Sequence, residues 1–156
     1  MLVVSLGEID VRAHFNNHIK STADIQLLVD NFLNQLDIQL SGKCKVGVYS
    51  VIPPRKVDGV NTSSFSIPFL GTDQQRLQWT EELNNLLHVG CLARGFLFVD
   101  VWRDYALHVP ASQEHYQDKD GFMDMSRSDG ICHMVDPEPL RRFICGLQQK
   151  QEAGTL

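Results

Sequence analysis

The sequence predicts an α/β domain built on a parallel β-sheet of about three strands with helices on both faces. Two observations lead there. Short apolar runs rich in β-branched and aromatic residues alternate with stretches whose apolar residues recur at helical spacing, in the order βαβαβα. The stretches between runs are long enough to hold a crossover helix, the connection that parallel strands require.

Residues 2–6 (LVVSL) read as a first buried strand because the run is almost unbroken in its apolar character. Ser21 and Asp24 then form a capping box, a hydroxyl at the helix entrance with a carboxylate three residues on. Behind them Ile25, Leu28, Val29, Phe32, Leu36 and Leu40 share one helical face, and Gly42 is placed to end it. Residues 45–52 (KVGVYSVI) make the second strand, stopped by Pro53 and Pro54. A loop rich in Ser, Asn and Gly covers 55–71. Thr72 and Gln75 cap a second helix with Leu77, Leu83, Leu86 and Leu87 on its apolar side, and Gly95 ends it. Residues 96–102 (FLFVDVW) are the third strand, and a second long loop runs to Asp136. Asp136 suits an N-cap and Pro137 a first helical position. Leu140, Phe143, Ile144 and Leu147 then close the chain with a third amphipathic helix. The organisation is one domain over 1–147 and a short tail, 148–156.

Composition narrows the function classes. With 156 residues, 43% hydrophobic and 21% charged, the chain suits one soluble domain with a single core. A net charge of −5 without a basic run argues against a nucleic-acid partner, which needs a positive footprint. No apolar stretch reaches the ~20 residues that span a bilayer. The N-terminus lacks the basic region of a secretion signal. Cys44, Cys91, Cys132 and Cys145 form no C-x-x-C pair and no zinc spacing, so they read as reduced packing thiols. A cytoplasmic protein without a cofactor or metal is expected, acting on a small molecule away from membranes and nucleic acid.

In a parallel sheet, ligands sit beyond the C-terminal strand ends. The segments 7–14, 53–71 and 104–136 all fall there. In the last of them, Asp129 and His133 are four residues apart, so one helical turn would let the carboxylate hold one ring nitrogen. The other nitrogen is then free as a general base. The same spacing also fits an Asp-Gly turn followed by a histidine at a helix entrance. At the end of the first strand, Gly7 permits close backbone approach, and Glu8, Asp10, Arg12 and His14 follow it. Those residues equally fit a strand-to-loop turn with a local Asp10–Arg12 salt bridge. His14 and His18 have metal-pair spacing but lack the metalloprotease glutamate. Residues 116–127 fail the calcium-loop template, because Arg127 stands where its last acidic ligand belongs. Cys132 and His133 are adjacent, and neighbouring side chains point apart, which disfavours a thiol–imidazole dyad.

Taken together, GEIDVRAHF near the start and SDGICHM near the end resemble the SGNH/GDSL hydrolase superfamily, in a branch with a GEIDCR-like block. VYSVIPPR, RLQWTEELNNLL and GFLFVDVWRDYA resemble that family's fourth strand, following helix and fifth strand, so the likeness runs from Leu2 to about Gly146. The resemblance implies a three-layer α/β/α, flavodoxin-like fold, of which this chain holds the C-terminal two thirds. It also implies ester hydrolysis on a sugar, lipid or small-molecule ester, with His133 as general base and Asp129 as its orienting acid. Gly7, Glu8, Asp10, Arg12 and His14 would lie on the substrate and oxyanion side. Ile9 stands where many members carry an oxyanion-hole asparagine, so Arg12, a backbone amide or another donor takes that part. The family's Gly-Asp-Ser nucleophile turn does not occur in this sequence. Loss of the serine from such a triad costs about a millionfold in turnover, so the chain alone is expected to be nearly inert. Residues 2–6 should form an open edge that pairs with a second copy or an N-terminal segment beyond this sequence. The alternatives are a binding or assembly protein that keeps the fold, and a metal-dependent hydrolase using Asp10, His14, His18 and His133.

Overall fold

Three strands, β1 (Leu2–Ser5), β2 (Val46–Tyr49) and β3 (Leu97–Val99), pair in parallel in chain order. Val4 lies opposite Val48, and Val48 opposite Phe98. The computed structural model describes residues 1–7, 10–58, 69–106, 121–123, 138, 139, 141–143, 145 and 146. Between β1 and β2 run a π-helical turn at Asp10–His14, a single α-turn α1 (Phe15–His18) and the long helix α2 (Thr22–Leu40). Helix α3 (Asp73–Ala93) joins β2 to β3, and the short α4 (Trp102–Tyr105) follows β3. Residues 138, 139, 141–143, 145 and 146 are helical too, in the stretch expected to close the chain. The chain is thus mixed α/β around a parallel three-stranded sheet, in the strand order expected from the sequence.

Strand alternation divides the apolar residues between the two faces. On one face Val4, Val48 and Phe98 meet Ile25, Val29 and Leu33 of α2 and Leu83, Leu87 and Cys91 of α3. On the other, Val3, Tyr49 and Val99 gather with Val101, Tyr105, Ile52 and Phe143. Two crossovers of the same hand, stepping the same way across the sheet, carry both long helices to one face. Val29, Leu33, Leu83 and Leu87 have no exposed surface, and each such side chain contributes roughly 1.5–3 kcal/mol of transfer free energy. Among the described residues no helix is long and apolar enough to cross a membrane.

The helix ends follow their capping chemistry. Asp24 Oδ2 accepts from Lys20 N (2.8 Å), Ser21 N (2.9 Å) and Ser21 Oγ (3.1 Å) at the start of α2. Thr72 Oγ1 accepts from Gln75 N (3.2 Å), and Thr72 N donates back to Gln75 Oε1 (2.8 Å), the reciprocal box that opens α3. Beyond the helix ends, Gly42 and Gly95 take φ +73° and +68°, left-handed values that glycine adopts without strain.

Three sequence expectations need correction. The second strand ends at Tyr49 rather than Ile52, because the backbone of Val51 pairs with a side chain of α3 instead of a strand. The third strand ends at Val99 rather than Trp102. There Trp102 N donates to Asp100 Oδ1 (3.0 Å), a side-chain turn that starts α4. Of the cysteines, only Cys91 among the described residues is a packing residue, since Cys44 and Cys145 are exposed. Burial pushes the Cys91 thiol up to about 11, with the Arg94 charge opposing part of the rise.

Asp24 supplies a pH-dependent part of the stability. Its hydrogen bonds from Lys20 and Ser21 hold its carboxyl below the ordinary carboxylate value. A depressed folded-state value gives stability that is complete above the unfolded value of about 3.9 and lost as pH falls through the folded one. Asp24→Asn should therefore lower the melting temperature at neutral pH. Its difference from the parent protein should shrink as melts are repeated at progressively more acid pH.

Candidate functional site at the C-terminal edge of the sheet

The exit from β1 is fixed by a glycine. Gly7 is buried with φ +105°, and a Cβ there would lie 2.6 Å from Leu83 Cδ2 and 3.1 Å from Val51 Cγ2. Only glycine fits both the conformation and the approach to α3. The chain then turns helical over Asp10–His14, where the sequence also fitted a strand-to-loop turn. Val11 N donates to Gly7 O (2.9 Å), and Val11, Ala13 and Phe15 bury their apolar side chains. Arg12 goes inward with them and is only 7% exposed, while its carbonyl accepts from Leu70 N (2.7 Å).

The exit from β2 is held by a side-chain amide. Val51 N donates to Asn84 Oδ1 (2.7 Å), and Asn84 Nδ2 donates to Val51 O (2.9 Å), so one α3 residue takes the place of a missing strand partner. Ser50 ties the exits of β2 and β3 together, its N–H on Val99 O (3.0 Å) and its Oγ accepting from Val101 N (3.1 Å). Pro54 O accepts from Met123 N (3.0 Å), which brings part of the segment after β3 to the same edge.

A buried charged cluster anchors the segment that enters α3. Arg76, 1% exposed, forms an ion pair with buried Asp73 and donates through Nη1 to the carbonyls of Leu70 and Gly71. Asp73 also accepts from Val57 N (2.8 Å) and Asp58 N (3.0 Å). The guanidinium carbons of Arg12 and Arg76 lie 4.9 and 5.8 Å from the centre of the Phe69 ring. Beside them is a cavity of ≈ 20 Å³, about one water's worth of space, lined by Arg12, Arg55, Arg76, Thr80, Phe69 and Pro54 among others.

Of the residues singled out in the sequence, the edge brings Gly7 and Arg12 into one packed unit. Asp10 is half-buried on the same turn, whereas His14 is exposed and does not line the cavity. Glu8, Asp129 and His133 lie outside the described residues, as do Ile9 and the tail 148–156. His14 and His18 have ring centres 6.3 Å apart. Among the described residues no three His, Cys, Asp or Glu side chains come together as a metal site. A wider groove of ≈ 320 Å³ flanks β3, where His88 stacks on Phe98 at 4.9 Å and Glu81, Asn84, Asp100 and Trp102 complete the wall.

The sequence reading passed over Arg76, Asp73, Thr80, Asn84 and Ser50. A signal was available for two of them. Arg76 and Thr80 fall on the same helical stripe as Leu83 and Leu87, so polar residues interrupt the buried face of α3 at its first turns. A polar residue on an otherwise apolar stripe marks a buried bonding network. No known protein-family model, curated protein or solved structure matches the chain.

The Asn84 clamp is directly testable. Asn84→Ala leaves both backbone groups of Val51 without their partner, and the expected cost is about 1–3 kcal/mol. Denaturant midpoints of the parent and variant measure it, and an unchanged midpoint would mean that water replaces the amide freely.

Proposed function

We propose that the chain is the acid–histidine part of an SGNH/GDSL-type ester hydrolase. One observation carries the reading. The Gly7 block leaves β1 at the C-terminal edge of a parallel sheet, and β3, the strand that precedes Asp129 and His133 in the sequence, ends at that same edge. Sites in α/β sheets form there. The finer features of the fold belong to this proposal: a three-layer, flavodoxin-like arrangement, with the nucleophile-bearing strand beside β1 on the side away from β2. So do a cytoplasmic location and a sugar, lipid or small-molecule ester as substrate.

In the proposed reaction a serine hydroxyl attacks the ester carbonyl carbon while His133 accepts the hydroxyl proton. Asp129 orients the imidazole and stabilises its charged form. The tetrahedral intermediate collapses by expelling the alcohol, to which His133 returns the proton. Water then repeats the relay on the acyl-enzyme, releasing the acid and restoring the serine. No Gly-Asp-Ser occurs in the 156 residues, so the serine of this scheme comes from sequence beyond them or from another chain. Ile9 offers no side-chain donor, which leaves backbone amides or Arg12 to receive the oxyanion.

The test compares nitrophenyl-acetate hydrolysis by these residues alone and by the protein extended with any Gly-Asp-Ser-bearing segment encoded upstream. The expected result is negligible turnover alone and serine-dependent turnover when extended, falling at least about a thousandfold in His133→Ala. Turnover indifferent to His133 would overturn the assignment of that residue, and no such segment together with no activity would leave a non-catalytic binding or assembly protein as the better reading.

A further inference from the structure

We propose that the groove between α3 and β3 is a saccharide-binding site, with an aromatic surface and a polar rim. It holds ≈ 320 Å³ of space, within the ~300–1,000 Å³ of small-molecule sites. Glu81, Asn84, Asn85 and His88 recur at i, i+3, i+4 and i+7, so they share one face of α3. The opposite wall is Phe98 of β3 with Asp100 and Trp102, which follow the end of that strand. His88 stacks on Phe98, ring centres 4.9 Å apart and planes inclined by 17°. Phe98 packs against the main core, so the stack is held from beneath.

A sugar ring asks for this combination. Its C–H bonds gather on an apolar face that packs on an aromatic ring, while its hydroxyls project round the edge and each both donates and accepts. The groove supplies both kinds of partner, since Glu81 and Asp100 accept and the Asn85 amide donates and accepts. The side chains of Glu81, Asn85 and His88 form no hydrogen bond or ion pair with the described part of the chain, and Asp100 uses only Oδ1, on Trp102 N. Other ligand classes fit less well. No lysine or arginine is among the described lining residues, and two carboxylates repel an anion. Glu81 and His88 stand seven residues apart, roughly 10 Å along the helix axis, a length that a single small ion does not span. Among the described residues Glu81, His88 and Asp100 do not come together as a metal site. A lipid chain would strip water from rim groups that it cannot bond.

Saccharide binding is read without turnover, so this proposal and the hydrolase reading fail separately. The experiment follows saturation-transfer NMR of maltose, cellobiose, lactose and N,N′-diacetylchitobiose with the intact chain, and of the diamine cadaverine as a cationic comparison. At least one disaccharide is expected to receive saturable transfer, strongest at its ring C–H protons. Its affinity should fall at least about fivefold in Glu81→Ala and in Asn85→Ala. Both side chains are exposed on α3 and alanine favours a helix, so both variants should fold. Gln35→Ala, exposed on α2 and outside the groove, should bind within about twofold of the parent, as distant sites do. No transfer to any of the disaccharides, or equal affinity in the parent and both groove variants, overturns the proposal. Tighter binding of cadaverine than of any disaccharide overturns it in favour of a cationic ligand.

Discussion

Parallel strands cannot be joined by a tight turn. Each connection must travel back along the sheet, and the shortest ordered way is a helix packed on its face. Nearly everything else about this molecule follows from that constraint. It requires α2 and α3, and the shared hand of the crossovers sets them side by side over Val4, Val48 and Phe98. It also sends every strand exit to one edge, which is why Gly7, Val51 and Val101 come within bonding or packing reach of the same few residues. With only three or four residues in each strand, the sheet has few ladder bonds of its own. Side chains therefore extend it: Asn84 pairs with Val51, and Ser50 accepts from Val101.

Burying Arg76 and Asp73 together is an expensive way to stabilise a helix start. The Coulombic gain of such a pair is offset by the desolvation of both charges, and an apolar pair of similar size often does as well. Removing either partner alone costs about 3–5 kcal/mol, because the other is left charged in a dry site. What the pair secures is position. Through Leu70, Gly71, Val57 and Asp58 it fixes both ends of the long connection between β2 and α3 against the helix. The same guanidinium also borders the cavity, so the anchor of the loop and the wall of the site are one residue.

The parts of the fold legible in the sequence were those governed by local chemistry. Capping at Ser21–Asp24 and Thr72–Gln75, the glycines beyond each long helix and the apolar stripes of α2 and α3 are short-range signals. The parallel order followed from alternation alone. Strand ends were less legible, because the Val51–Asn84 and Ser50–Val101 bonds join residues 33 and 51 positions apart. The helical turn after Gly7 was hidden for a related reason: its burial depends on α3 and on Leu70, not on its own sequence. At the edge, Gly7 and Arg12 are both buried, while the buried cluster around Arg76 is hard to read from sequence because charged residues are ordinarily assigned to solvent. Asp129 and His133 lie outside the described residues.

The burial of Cys91 has a practical corollary. A thiol reagent meets Cys44 and Cys145 in the native protein, since both are exposed, but Cys91 lies sealed in the main core and its proton is held to about pH 11. Because the thiolate is the reacting species, Cys91 is silent at neutral pH on both counts. It becomes reactive only when α3 separates from the sheet and α2. With every thiol that reacts in the native protein blocked first, the rate of its modification is a built-in clock for the opening of this core, read in the folded protein without denaturant.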